Sequence, residues 1–279
     1  MTRVLALGVA LFFYTFSLVG PAFADQAAQL ALALKEMRAE NWNEALRVAG
    51  NRGSVSRDII VWHWLRKGYG ESGDALVFLD RRPDWPGQAF LRRKSEPSFT
   101  NADPQRALKF YSEQPAQTAE GALNYATALI TTGKRGEGEA ELVVAWRTMP
   151  MGSGLQKIYL QNYSKLLKPH HAARLDRMLW EGHKISSKQM LSLVSADQRK
   201  LAEARLGLQN MSPGVDRLIE AVPDSLTSAP GLAFDRFVWR DRKEFDESAV
   251  DLMLERSTGP KALGEPDKWG PRRRRLARL

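Results

Sequence analysis

The sequence predicts an all-α protein, an irregular α-solenoid or superhelix of short helical hairpins of the tetratricopeptide kind. Three observations carry this. Apolar residues recur at i, i+3, i+4 and i+7 in segment after segment, prolines punctuate those segments, and no stretch alternates apolar with polar residues over the length of a strand. About a dozen helices of roughly 8 to 16 residues follow from the spacing of these breaks. Helices that short cannot bury both flanks inside one hairpin, so each pair must stack on its neighbours.

Taken in order, the first hairpin is read from Leu30, Ala33, Leu34 and Met37 and, beyond a polar break, from Trp42, Ala45, Leu46 and Ala49. A shorter helical stripe follows at Val61, Trp64 and Leu65. The clearest repeat of the pattern runs through Ala122, Tyr125, Ala126 and Leu129, turns over Thr132 to Gly136, and resumes at Leu142, Ala145, Trp146 and Met149. Shorter stripes appear at Leu175, Met178 and Leu179, at Phe234, Phe237 and Val238, and at Val250, Met253 and Leu254. Proline inside a helix costs about 3 kcal/mol, so every proline from Pro83 to Pro271 is expected between helices or at a helix start. Asp103-Pro104 and Ser212-Pro213 have the form of an N-cap oxygen followed by proline at the first helical position, and Ala229-Pro230 shares the proline without the cap. Asn43-Glu44-Ala45-Leu46 and Gly136-Glu137-Gly138-Glu139-Ala140 resemble the second helix of a tetratricopeptide unit, but the period of about 34 residues that such arrays keep does not run through the chain.

The first 24 residues read as a secretory signal: a basic start at Arg3, an apolar run from Val4 to Val19, and small residues at Ala22 and Ala24 before a polar segment opens at Asp25. The alternative, an uncleaved anchor, needs roughly 20 apolar residues, which this run does not reach. Cleavage leaves 255 of the 279 residues as a single α-superhelical domain, 25–279, in the periplasm, with no stable membrane span. Cysteine is absent, which excludes disulfides, thiolate metal sites and a cysteine nucleophile. The formal charge is +9, or +8 without Arg3, and +5 of it lies between Lys261 and Leu279. The charge is concentrated at one end, so a nucleic-acid partner is not expected. Arg272-Arg273-Arg274-Arg275 is expected to be a solvated helix face.

Few residues have the makings of a reactive site. The four histidines, His63, His170, His171 and His183, have no metal-ligand spacing; His63 lies between Trp62 and Trp64 as a packed residue, and His170-His171 after Pro169 open a helix. Met151-Gly152-Ser153-Gly154 is not a nucleophile elbow, and Gly133-Lys134-Arg135-Gly136 reads as a hairpin turn rather than a phosphate loop. No catalytic residue, cofactor or metal is therefore assigned. Trp42, Trp64, Trp146, Trp180 and Trp239 fall on apolar stripes and are expected in packing, whereas Trp85 and Trp269 lie beside prolines and are candidate ligand contacts.

Three strings carry a resemblance: Arg81-Arg82-Pro83-Asp84-Trp85-Pro86-Gly87 followed by Leu91-Arg92-Arg93-Lys94-Ser95-Glu96; His170-His171-Ala172-Ala173-Arg174-Leu175-Asp176 with Leu179-Trp180; and the run from Pro230 to Arg240. In this order they resemble the superhelical amino-terminal region of soluble lytic murein transglycosylases, especially those of alphaproteobacteria. The resemblance implies a periplasmic lyase that cleaves between N-acetylmuramic acid and N-acetylglucosamine and leaves a 1,6-anhydro product. It also implies one glutamic acid as acid and then base, in a lysozyme-like domain after the superhelix, introduced by Glu-Ser and followed by Gly-Leu-Met-Gln. Here the Glu-Ser pairs, Glu71-Ser72 and Glu247-Ser248, lack that sequel, so the chain is expected to be an inactive, truncated amino-terminal portion whose catalytic domain is missing. Its implied role is positional, binding peptidoglycan strands and docking the catalytic domain, with Trp85, Arg92, Arg93 and Trp269 as candidate glycan or domain contacts. Two other readings stay open: a periplasmic scaffold that binds proteins, and a muramidase-type site among Glu71, Glu96 and Glu247, which requires a carboxylate of raised pKa in a cleft.

Overall fold

The computed structural model describes residues 21–278, and the signal assigned to residues 1–24 lies for the most part outside them. Packing divides the chain into two compact units, one ending at Ser95 and one running from Glu96 to the end, where the sequence reading has a single domain. No strand occurs among the described residues, and none of the helices is long and apolar enough to cross a membrane.

The first unit contains α1 (Pro21–Arg38), α2 (Trp42–Val48), α3 (Val55–Arg66), α4 (Ser72–Arg81) and α5 (Gln88–Ser95). The hairpin expected from Leu30 to Ala49 is the α1–α2 pair, and its core joins Ala33, Ala45 and Ala49 to Ile60 of α3, flanked by Leu34, Met37 and Leu46. Small alanines at the crossing let the backbones approach closely. Ser54 starts α3 by accepting from the Arg57 amide, and Glu71 and Asp74 form a reciprocal capping box at the start of α4. Buried Asp58 of α3 is held by Arg81 at 2.6 Å and Arg82 at 2.8 Å, which fastens the end of α4 to α3.

The second unit opens with a 3-10 turn at Glu96–Phe99 and continues through α6 (Pro104–Glu113), α7 (Ala119–Thr131), α8 (Arg135–Thr148) and α9 (Ser153–Leu167). A 3-10 turn at Lys168–His170 leads to α10 (His171–Trp180), α11 (Lys184–Met190), α12 (Ala196–Gln209) and α13 (Val215–Glu220). After a third 3-10 turn at Asp224–Leu226 come α14 (Pro230–Arg242), α15 (Asp246–Arg256), α16 (Pro260–Leu263) and α17 (Pro266–Leu276). The expected hairpin at 122–149 is α7–α8, although its turn is only Thr132 to Lys134; Gly133 takes φ +88°, and Arg135 and Gly136 already belong to α8. At the crossing of this pair, a side chain on Gly138 would lie 2.7 Å from the Ala126 carbonyl and 2.8 Å from Ile130 Cγ1, so contact at this distance requires glycine.

Capping differs from expectation at one place. Asp103 caps α6 through the amides of Gln105 and Arg106, as predicted, but Ser212 does not cap α13; Gly214, at φ +71°, takes that place and the helix starts at Val215. Pro271, expected between helices, lies inside α17. The lost backbone bond there is offset by buried Trp269 and Leu276 and by the anchoring of Arg272 and Arg275 on Asp241. In α15 the buried face is Ala249 and Leu252 with Met253 partly buried, while Leu254 is exposed. Two clusters close this part of the core: Leu201, Ala204, Leu208, Val215, Val222 and Leu232, and then Phe237, Ala249, Leu252, Leu263, Trp269 and Leu276.

Candidate functional site

A groove in the second unit has a volume of about 670 Å³, within the range of roughly 300 to 1,000 Å³ typical of ligand sites. Trp180 ends α10, and Phe234 and Val238 stand one turn apart on α14; the Trp180 and Phe234 rings lie 5.2 Å apart, tilted, and make an aromatic wall. Lys268, Arg272 and Arg275 stand at i, i+4 and i+7 on α17 and so share one face toward the same groove. Lys184 and Arg242 add two more cations, against Glu181 and Asp235.

An internal polar network holds the wall in place. Arg205 of α12 is almost wholly buried; its Nε donates to Asp235 Oδ2 and its Nη1 to Asp176 Oδ1, each at 2.6 Å, and its guanidinium lies 5.3 Å from the Trp180 ring centre. Gln209 Nε2 donates to Asp235 Oδ1 and to the Leu179 carbonyl, both at 3.0 Å. Gly231 opens α14 beside the Arg205 guanidinium, where any side chain would collide with it. Burial pushes the Asp235 carboxyl above its usual range, opposed by Arg205. Both of its oxygens are already acceptors and it is 4% exposed, so Asp235 braces the groove.

The tetra-arginine run is divided between two jobs. Arg272 and Arg275 bind Asp241, the latter also through Nε at 2.8 Å, and Arg275 reaches Asp246 at 2.7 Å; Arg273 and Arg274 face solvent. Its expected role as a solvated face therefore holds for Arg273, Arg274 and Arg275, the last of which also pairs with Asp241 and Asp246, while Arg272 is half-buried. The cation with the least internal engagement in the groove is Arg242, at the end of α14.

The four candidate contacts fall in different surroundings. Trp269 is a correction: it has no exposed surface, stacks on Phe237 at 4.8 Å and 20°, and donates Nε1–H to the Leu263 carbonyl at 3.0 Å. Neighbouring Pro271 does not mark a loop, because α17 continues through it and turns the indole inward. Trp85 does lie in a loop, half-buried, edge-on to Phe78 at 5.5 Å and Trp62 at 6.3 Å. Arg92 is buried, whereas Arg93 is exposed over the Phe90 ring. These three belong to the first unit and Trp269 to the second.

Glu71 caps α4 and Glu247 lies in the first turn of α15, so both have structural places. Glu96 is 1% exposed and accepts from the Gln117 amide at 2.6 Å and from the Thr118 hydroxyl. Burial raises its pKa, and the Gln117 and Thr118 hydrogen bonds oppose the shift. A raised carboxyl is present, then, but it is sealed against the start of α7, with Gly121 leaving room for it. Among the described residues no group of three or more His, Asp and Glu side chains is gathered to hold a metal ion. His171 packs 5.4 Å from Trp146 and burial lowers its pKa.

Sequence reasoning missed Arg205, Gln209 and Asp235, because their partners are some 26 to 30 residues away and no local spacing joins them. No protein-family model, curated protein or solved structure matches the chain.

Proposed function

We propose that the chain is the noncatalytic superhelical module of a periplasmic peptidoglycan lytic transglycosylase, which holds glycan strands for a catalytic domain elsewhere. The observation that carries this reading is the groove with half-buried Phe234 as its aromatic wall, backed by the largely buried Trp180, and Lys184, Arg242 and the basic face of α17 as its rim. Aromatic faces stack on sugar rings, and the stem-peptide carboxylates of peptidoglycan match the excess of positive charge. The sealed position of Glu96, and the engagement of both Asp235 oxygens by Arg205 and Gln209, agree with a binding rather than a catalytic role. Purified peptidoglycan sacculi should co-sediment with the protein. Binding should fall several-fold in Arg242→Gln and on raising salt, without release of anhydro-muropeptides. Absence of co-sedimentation, or release of anhydro-muropeptides by the purified chain, would overturn the proposal.

The alternative of a protein-binding scaffold is favoured by a different feature, a cleft of about 640 Å³ lined by Pro150, Met151, His183 and Ile185, the last 75% exposed. Under that alternative sacculi stay unbound, and Ile185→Asp abolishes capture of a protein partner.

A further inference from the structure

We propose that the first unit carries a binding site for a phosphate-bearing anion, centred on Arg66 and completed by Arg93 and Lys94. The site is separate from the groove of the second unit and does not rest on the glycan reading. The Arg66 guanidinium lies 4.3 Å from the Trp62 ring centre and 4.9 Å from that of Phe90, held between two aromatic side chains. Gly87 closes over it: a Cβ there would fall 2.5 Å from Arg66 Nη1. The loop carrying Gly87 is itself tied down by Trp62 Nε1–H, which donates to the Pro86 carbonyl at 3.0 Å. Arg93 and Lys94 approach the same Phe90 ring, at 5.3 and 5.8 Å.

Three cations thus converge on one ring, and among the described residues none of the three side chains has an ion pair or side-chain hydrogen bond. Several acids of the first unit are engaged elsewhere: Asp58 by Arg81 and Arg82, Glu40 by Lys67, Glu44 by Arg47, and Asp74 by the Glu71 amide. The ends of α3 and α5 supply partial negative charge that lets the cations sit there, but not acceptors for their N–H groups. Like charges within a Debye length, about 8 Å, repel, and a ligand that brings two or more negative charges relieves that. A carboxylate brings one; a diphosphate or terminal phosphate brings more, with acceptors spaced for the planar fork of a ring-held arginine.

Titration calorimetry of the full chain with inorganic pyrophosphate, and flotation with phosphatidylglycerol vesicles, separate a soluble phosphate from a lipid headgroup as the source. Either probe should bind at low salt, with affinity about tenfold weaker in Arg66→Gln and in the exposed double variant Arg93→Gln/Lys94→Gln. Arg273→Gln, which removes one exposed charge elsewhere, should bind as the wild type does. Folding of each variant is checked by circular dichroism, and the double variant keeps the test valid if Arg66→Gln fails to fold. Silence from both probes, binding unchanged in the double variant, or an equal loss in Arg273→Gln would each overturn the proposal.

Discussion

Asp58 and Glu96 are both 1% exposed, and they have different partners. Asp58 meets two guanidinium groups, so replacing it with alanine leaves Arg81 and Arg82 facing an emptied pocket. The expected cost is about 3 kcal/mol, read as a lower urea midpoint at unchanged slope. Glu96 has amide and hydroxyl donors but no cation, and burial raises its pKa. A raised carboxyl binds its proton more tightly in the folded state, so its contribution to stability is complete below the ordinary glutamate range and is lost as pH rises through the folded pKa. Glu96→Gln mimics the protonated form. The melting temperature of the variant should therefore gain on that of the wild type between pH 4 and pH 7; a constant difference across that range would refute the assignment. Arg174 shows a third solution. Fully buried, it donates to the Met149 carbonyl at 2.9 Å and to that of Trp146, lies 4.5 Å from the Trp146 ring centre, and has its pKa pushed down to about 10 by desolvation.

The helices stand or fall by their ends and crossings. Asp103 supplies the N-cap oxygen of α6, and Asp103→Ala should cost about 1 kcal/mol, with Asn restoring most of it, measured by thermal unfolding. The α7–α8 crossing is set by the missing side chain of Gly138, and Gly138→Val forces the two helices apart. Overpacking of that kind costs about 1 to 3 kcal/mol, and the loss of amide protection should centre on residues 119–148. Periodicity made α7 and α8 legible because their buried faces repeat every turn. At α17 the helical face of Arg272 to Arg275 was legible but the place of Pro271 was not: a proline is read locally as a break, although the bonds that anchor this helix, from Arg272 and Arg275, go to Asp241 of α14.

At the scale of the molecule, each helix packs mainly on those one or two positions away along the chain, so damage should stay local. Trp269→Ala removes a fully buried indole and should cost about 3 to 5 kcal/mol. In hydrogen exchange that loss should appear in α14 to α17 and spare α6 to α8; a uniform loss across the second unit would show that it unfolds as one block. The helical class and the α1–α2 and α7–α8 hairpins were determined by the sequence alone, since they depend on spacing within about one or two turns. The tertiary structure alone decided the division at Ser95, the burial of Trp269, the pairing of Arg205 with Asp176 and Asp235, and the meeting of Arg66 with Arg93 and Lys94 around Phe90. These depend on which helix faces come together, a choice made by packing between segments tens of residues apart and therefore not encoded in any local pattern.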